Sequence, residues 1–591
     1  MKIMLLIMVV AFSVPLFGEG VTLGHDIFFH ATRIEAIKQG LETGNFPVKL
    51  YGTFFNDYGC PYGFLYPDIF LYIPAAFRLM GFDMSFSYGL FLFLITLLTA
   101  ALSFFSFNNL FRHINKGSKT ELKTPYYIYG FAAAVLYTGT LYRFVDLYVR
   151  AALGETIAMS FLPLALISFY LMLKREKNAW IFVVIGTTGI LSSHLISSFL
   201  LFVSYVIMSL AFIKRLFSRE VLKSLLKAIV FIALINLWFY FPFVDMYNSY
   251  DFYIKNEIKS AGNLSNFAWI DMIRVHFYVG ILPITLLSAY LIFVLTKIVN
   301  KTVTHLDQIF LVCFLFCVVL VLFISPVAPW AVLDFVPILG EKLGIMQFSY
   351  RVTMFTCIFL SIALSIAICA NKRFFIMTFI IPLAILYWMA NIPWTVENTM
   401  VSICKVDKHS TLGDLAGFLK GTEIGDTPLV SFDIWNNPHL APFPDYVHRD
   451  IKKTEFMTYL NISDPKYWEA IKNKTLVNLN PYEITPQNAV TNFSRMGLNL
   501  EFTTKTDVPT AIKLPLWYYP HCYIATCDGE EITVFETYKH RVTITAPKGE
   551  HKITVRPKLY TPYRNACIIS AIGILFFIFL CNRELTKKEK V

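Results

Sequence analysis

Residues 151–173 read AALGETIAMSFLPLALISFYLML and are followed at once by Lys174-Arg175-Glu176-Lys177. The run is apolar over the length of a bilayer crossing, its one acid, Glu155, stands near its start, and a basic cluster closes it. A helix of about 20 apolar residues spans the hydrocarbon core, and Lys/Arg-rich turns stay on the cytoplasmic side. The segment therefore predicts a helix that crosses toward the cytoplasm and has its polar start, from Tyr142 to Glu155, at the outer face.

The same reading extends both ways along the chain. Ser85 to Phe107 is a second span, and the loop after it holds Arg112, Lys116, Lys119 and Lys123, so it is cytoplasmic; Pro125 to Tyr142 returns outward. Ala179 to Ile213 would make a helix of roughly 52 Å, too long for one crossing, and reads as two short spans folded at Ser192-Ser193-His194. Further spans near 228–245, 275–296, 309–325, 351–370 and 374–393 leave Lys297, Lys301, Lys372 and Arg373 inside. Met1 to Phe17 reads as an uncleaved first span. Phe64 to Met80 carries Pro67, Asp68 and Pro74 and suits an interfacial or re-entrant helix instead. With Pro562 to Leu580 as the last crossing, the expectation is a mostly α polytopic membrane protein of about twelve transmembrane helices, with both termini cytoplasmic.

Composition agrees. The 591 residues are 56% hydrophobic and 15% charged, with a mean hydropathy of +0.57, which excludes an ordinary soluble globule. The net charge of +11 lies in short clusters between apolar runs and orients the chain, so no nucleic-acid partner is expected. The ten cysteines contain no CxxC pair and imply neither a zinc site nor a disulfide framework; Cys522 and Cys527 are the one pair that such a bridge would join. No phosphate-binding P-loop, dinucleotide fingerprint, HExxH or GxSxG is present, so the energy for any reaction comes from the substrate.

Three parts follow: 1–393, a transmembrane domain with a first outer loop over 18–63; 394–561, an extracytoplasmic α/β or β domain; and 562–591, the final helix with its basic cytoplasmic tail. In the outer domain Thr411 to Lys420 has the apolar spacing of a short amphipathic helix. Farther on, Tyr519 to Ala525, Ile532 to Phe535, Val542 to Thr545 and Lys552 to Val555 alternate as strands around turns at Asp528-Gly529 and Pro547-Lys548-Gly549. A small β-sandwich is expected there.

Candidate chemistry gathers on the outer side. In GHDIFFHATR, residues 24–33, Asp26 stands just beyond the first span, either as a partly desolvated general base or as an interface charge that ends the helix. His30 and Arg33 follow at i+4 and i+7 and share a helical face with it, Arg33 holding a phosphate or anchoring the loop. A second cluster, Arg143, Asp146, Arg150 and Glu155, either receives a phosphate headgroup through the guanidinium forks or forms ion pairs within the bundle. His194 sits at the hairpin tip and Arg351 opens a long span, a headgroup ligand or a snorkelling anchor. The aromatic segments Tyr62 to Tyr66, Trp238 to Pro242 and Pro515 to Tyr519 read as interface belts and loop packing.

Residues 24–33, Gly44 to Pro47, Tyr58 to Pro67 and Tyr148 to Glu155 together resemble a bacterial membrane family labelled 6-pyruvoyl-tetrahydropterin synthase-related. The layout is similar to YfhO-like and other GT-C membrane glycosyltransferases. The pterin label brings no chemistry, because that activity needs a zinc-binding histidine triad that this chain does not show. The GT-C resemblance implies an inverting transfer of sugar from a polyprenyl-phosphate donor to a cell-envelope glycan or lipid acceptor at the outer face of the bilayer. It places the catalytic acid at Asp26 and assigns the departing phosphate to Arg33, Arg143, Arg150 and Arg351. No cofactor is called for; with no second acid beside Asp26, dependence on a divalent metal stays open. The competing readings are a non-enzymatic transporter or flippase of lipid-linked sugars and an envelope-assembly scaffold.

Overall fold

The computed structural model describes residues 1–17, 26–55, 57–117, 124–256, 281–325, 330–336, 339–370, 374–391, 448–450, 479–480 and 482–586, with a few single residues between these ranges. Among these the helices of eight or more residues are α1 (Lys2–Ser13), α2 (Ile27–Glu42), α3 (Tyr72–Leu79), α4 (Met84–Gly117), α5 (Tyr126–Thr138), α6 (Leu153–Leu173), α7 (Ala179–Leu191), α8 (Leu195–Ala211), α9 (Arg219–Ser249), α10 (Ile281–Val299), α11 (His305–Ile324), α12 (Thr353–Cys369), α13 (Met377–Asn391) and α14 (Thr561–Thr586). The protein is a mostly helical bundle of apolar helices followed by a β-sandwich.

Among the described residues seven helices are long and apolar enough, by length and composition, to cross a bilayer: α4, α6, α9, α10, α11, α12 with the turn before it, and α14. The count of about twelve divides here, because α1, α5, α7, α8 and α13 are helices of 12, 13, 13, 17 and 15 residues. At about 1.5 Å per residue these fall short of a 30 Å hydrocarbon core unless neighbouring helices shield their ends. The hairpin at Ser192-Ser193-His194 forms as expected, with α7 ending at Leu191 and α8 starting at Leu195. Phe64 to Met80 also forms no span: it divides into one turn at Tyr62–Leu65, a 3-10 turn at Ile69–Leu71 and the short α3.

Local sequence sets the starts. Thr304 caps α11 through a reciprocal capping box with Asp307, which also receives Lys297 at 2.9 Å. Packing then ranks the helices. α6 and α12 have 89% of their apolar windows buried within the protein, whereas α9, α10, α11 and α14 have 17–28%. The first two are interior helices and the others present apolar sides outward, as lipid-facing helices do. α4 lies against α5 and α6, α6 against α7, α12 against α5 and α11, and α9 against α14.

The sandwich comprises β1 (Val490–Met496), β2 (Asn499–Thr506), β3 (Thr510–Trp517), β4 (Tyr523–Cys527), β5 (Glu530–Ile532), β6 (Val534–Thr537), β7 (Arg541–Ala546) and β8 (Gly549–Pro557). One antiparallel sheet runs β1-β2-β8-β4-β5 and the other β3-β7-β6. Phe502 opposes Ile553 in the first and Ile512 opposes Ile544 in the second, all four fully buried, so the period-2 alternation supplies the core between the sheets. The β4-β5 turn falls at Asp528-Gly529, both with positive φ (51° and 94°), where the glycine carries no Cβ penalty. Cys522 and Cys527 are both free. They stand five residues apart along one extended segment, roughly 17 Å, far beyond disulfide reach. Thr411 to Lys420 lies outside the described residues, as do Gly24 and His25.

The sandwich docks on the loop that follows α2. Trp517 donates its amide to the Tyr58 carbonyl at 2.9 Å, Tyr519 its hydroxyl to the Gly59 carbonyl at 3.4 Å, and Arg495 bonds the Asp57 carbonyl. Tyr62, Phe239 and Trp517 are each at most 2% exposed, so the three aromatic segments serve as packing between loop, bundle and sandwich.

Candidate active site

Asp26 is the N-cap of α2, and its carboxylate makes no capping hydrogen bond. Its amide donates to the carbonyl of Arg150 at 2.9 Å, which ties the start of α2 to the polar segment before α6. That segment is irregular for a reason. Val145–Val149 form a π-helical turn, Arg150 donates back to Val145 at 2.8 Å, and Ala151 takes a left-handed φ of 49°. The wider turn turns Asp146 and Arg150 toward the start of α6.

Arg150 there bonds Asp146 and donates to Glu155 Oε2 at 3.1 Å. Glu155 also accepts the Tyr142 hydroxyl at 2.5 Å and pairs with Arg351 Nε at 3.5 Å. Tyr350 lies over the Arg150 guanidinium with its ring centroid 4.9 Å away. All four charged groups are at least nine-tenths buried, so each is held by its partners rather than by water. Arg351 Nε and Nη1 are buried and have no hydrogen-bond partner among the described residues, and neither does Asp146 Oδ2. The site thus holds a cation whose Nε has only the 3.5 Å ion pair with Glu155 and whose Nη1 donor is unused among the described residues.

His194 caps α8, accepting the Ser197 amide at 3.3 Å. It stands beside Gly154: a Cβ at Gly154 would come within 3.3 Å of the His194 ring, 3.0 Å of the Tyr66 hydroxyl and 2.9 Å of the Ser193 carbonyl oxygen. Four helix N-termini therefore meet here, those of α2 at Asp26, α6 at Glu155, α8 at His194 and α12 just after Arg351. Each brings the positive end of a helix dipole, a setting that favours an anion.

Electrostatics outside the spans follow from burial. Asp26 is raised above the ordinary carboxylate range by burial, with the Arg150 and Arg351 charges pulling it partly back. His30 is held well below its ordinary value by burial and then by Arg33; His194 is pulled down to about 3 by burial and then by Arg351. Both histidines are neutral at pH 7.

The remaining candidates take other places. His30 and Arg33 touch each other at 3.4 Å, and Arg33 donates to the Pro67 carbonyl at 2.8 Å and lies 4.3 Å over the Tyr66 ring. They line a narrow cleft, about 10 Å³, with Asp68, Gly154 and Ser193, next to the Glu155 group. Arg143 is turned elsewhere: it donates to Thr96 and Thr99 of α4 at 3.1 and 3.2 Å and to the Thr138 carbonyl, so its bonds join helices of the bundle. Tyr66, Tyr142 and Tyr350 belong to the site but do not stand out in the sequence. Their one signal is their place beside charged candidates. Two groups have metal-ligand spacing among the described residues, His448-Asp450-His540 and Cys527-Asp528-His551, and neither includes Asp26, Asp146 or Glu155.

No family model and no curated protein sequence matches the chain, so the 6-pyruvoyl-tetrahydropterin synthase-related label has no matching family model behind it. Among solved structures the chain is similar to ArnT from Cupriavidus metallidurans bound to undecaprenyl phosphate, with 12% identity and a TM-score of 0.37 over 73% of this chain and 70% of that one.

Proposed function

We propose that the protein is a GT-C type membrane glycosyltransferase that moves a sugar from a polyprenyl-phosphate donor to an extracytoplasmic glycan or lipid acceptor. The observation that carries this reading is Arg351, a buried guanidinium whose Nη1 has no partner among the described residues, beside Glu155 and Arg150 where four helix N-termini meet. Such a place holds the phosphate of a lipid-linked sugar. Asp26, only partly buried and free of capping bonds, stands on its rim as the base.

In the reaction an acceptor oxygen attacks the anomeric carbon of the donor sugar and its proton passes to Asp26. The bond from that carbon to the phosphate oxygen breaks, and its electron pair leaves with the polyprenyl phosphate. Arg351 and Arg150 stabilise the charge that develops on the departing phosphate. Glu155 and Tyr142 act through Arg150 and Arg351 as positioning residues, keeping the two cations at one place. The outward orientation of this site, with both termini cytoplasmic, rests on the Lys/Arg clusters of the alternate loops.

The test is transfer from radiolabelled polyprenyl-phosphate sugars by the purified protein, comparing wild type with Asp26→Asn. Transfer falling by about 10²-fold or more in a folded variant is expected for a general base. Full transfer by Asp26→Asn would remove Asp26 from the mechanism, and no turnover with any donor would favour the transporter reading.

A further inference from the structure

The sandwich holds a second cavity, about 390 Å³, at the end of the domain that joins the last span. Its walls come from the β3-β4 connection, the edge strands β5 and β6, and the chain leaving β8. Aromatic faces and charges alternate around it. His521 and Tyr560 stack at 4.5 Å and 15°, Tyr518 is half-buried beside them, and Lys558 donates to Glu531 at 3.1 Å across the polar side next to Thr533. Tyr560 is the residue before α14, so the cavity lies where the chain enters the bilayer. Tyr519 lines it on one side and on the other donates to the carbonyl of Gly59 in the loop that follows α2, which connects it to the elements carrying Asp26 and Arg33.

We propose that this cavity binds a pyranose unit of the saccharide acceptor. A pyranose has one face of weakly positive C–H bonds, which settles on the electron-rich face of an aromatic ring, and an equatorial rim of hydroxyls that both donate and accept. The His521-Tyr560 stack supplies the plate, Glu531 accepts from hydroxyls, and Lys558 donates to them. An acyl chain would leave the Glu531-Lys558 pair desolvated without new partners, which disfavours a lipid tail here. Saccharide binding at this cavity stands by itself; the assignment of that saccharide as acceptor rests on the proposed transfer reaction.

The test uses the full chain in lipid nanodiscs, with maltotriose, chitotriose and mannotriose as probes in saturation-transfer NMR. At least one trisaccharide is expected to show transfer to its ring protons, weakened about tenfold by His521→Ala and by Tyr560→Ala, retained by Tyr560→Phe and unchanged in Asp26→Asn. Each variant is compared at wild-type melting temperature, and Glu531→Gln replaces any alanine variant that fails to reach it. Absence of transfer for all three sugars, or undiminished transfer in the ring variants, overturns the proposal. A wild-type protein that turns over its donor yet binds no trisaccharide refutes this cavity alone, and one that binds through the cavity without turnover refutes the transfer reaction alone.

Discussion

The carbonyl oxygen of Arg150 accepts the amide of Asp26 at 2.9 Å, although 124 positions separate the two residues in the chain (150 − 26). This one bond fixes the candidate base at the edge of the Arg150-Glu155-Arg351 group.

Removing Glu155 leaves two buried cations without their shared acid. Glu155→Ala is expected to destabilise the protein by about 3–5 kcal/mol, as breaking a buried ion pair does. Glu155→Gln keeps an acceptor for Arg150 and Tyr142 and is expected to lose less stability, while weakening donor binding because Arg351 is no longer positioned. Thermal unfolding in detergent, together with KM for the donor measured separately from kcat, checks both. Equal melting temperatures for the alanine variant and wild type would contradict the ion-pair geometry.

As the proposed base, Asp26 works only when ionised, and burial raises it above its ordinary 3.8. The rate is therefore expected to fall as pH drops through a limb lying above that value, since protonation removes the base. A pH profile of kcat/KM measures the limb. Asp26→Asn should show low residual transfer without it, and persistence of the same limb in that variant would assign it to another group.

His194 and His30 are buried as neutral rings, each with a native value below the 6.5 of the unfolded chain. The unfolded state then binds more protons than the native one between those values. Stability is fully present above pH 6.5 and is lost as pH falls toward the native values, by up to about 1.4 kcal/mol per pH unit for each ring. Melting temperatures from pH 7.5 down to pH 5 read this slope. His194→Gln should flatten it, and an identical slope in the variant would contradict the buried neutral ring.

Gly154→Ala puts a methyl 2.9 Å from the Ser193 carbonyl oxygen, a backbone atom that cannot swing aside. The start of α6 has to shift, at a cost of about 1–3 kcal/mol. Because Glu155 moves with it, transfer activity is expected to fall more than stability alone accounts for. Wild-type activity in Gly154→Ala would show that the α6 start is not held against the α7-α8 turn.

Much of the fold was legible in the chain. Apolar runs and basic turns gave the helices, the Ser192-Ser193-His194 hairpin and the broken segment around Pro67, because burial in lipid constrains each segment locally. The alternation in β7 and β8 gave the sandwich for the same local reason. The length of each helix was less legible, since α5 and α7 stop after 13 residues, at Gly139 and at the Ser192 turn.

The site divides in the same way. Arg150, Glu155 and Asp146 are near enough in sequence for one irregular turn to bring them together, so their association could be read from spacing. The junction with Arg351, His194 and Asp26 could not, because helix N-termini from four separate parts of the chain meet only when α6 and α12 take the interior of the bundle. Arg143 shows the converse: it sits seven residues from Arg150, yet its hydrogen bonds to Thr96 and Thr99 turn it into the bundle. The sequence by itself determined which segments are apolar, which turns are basic and which residues carry charge at the helix ends. Only the tertiary structure decided which of those charges share a site, because a buried guanidinium is placed by the partners that helix packing leaves within its reach.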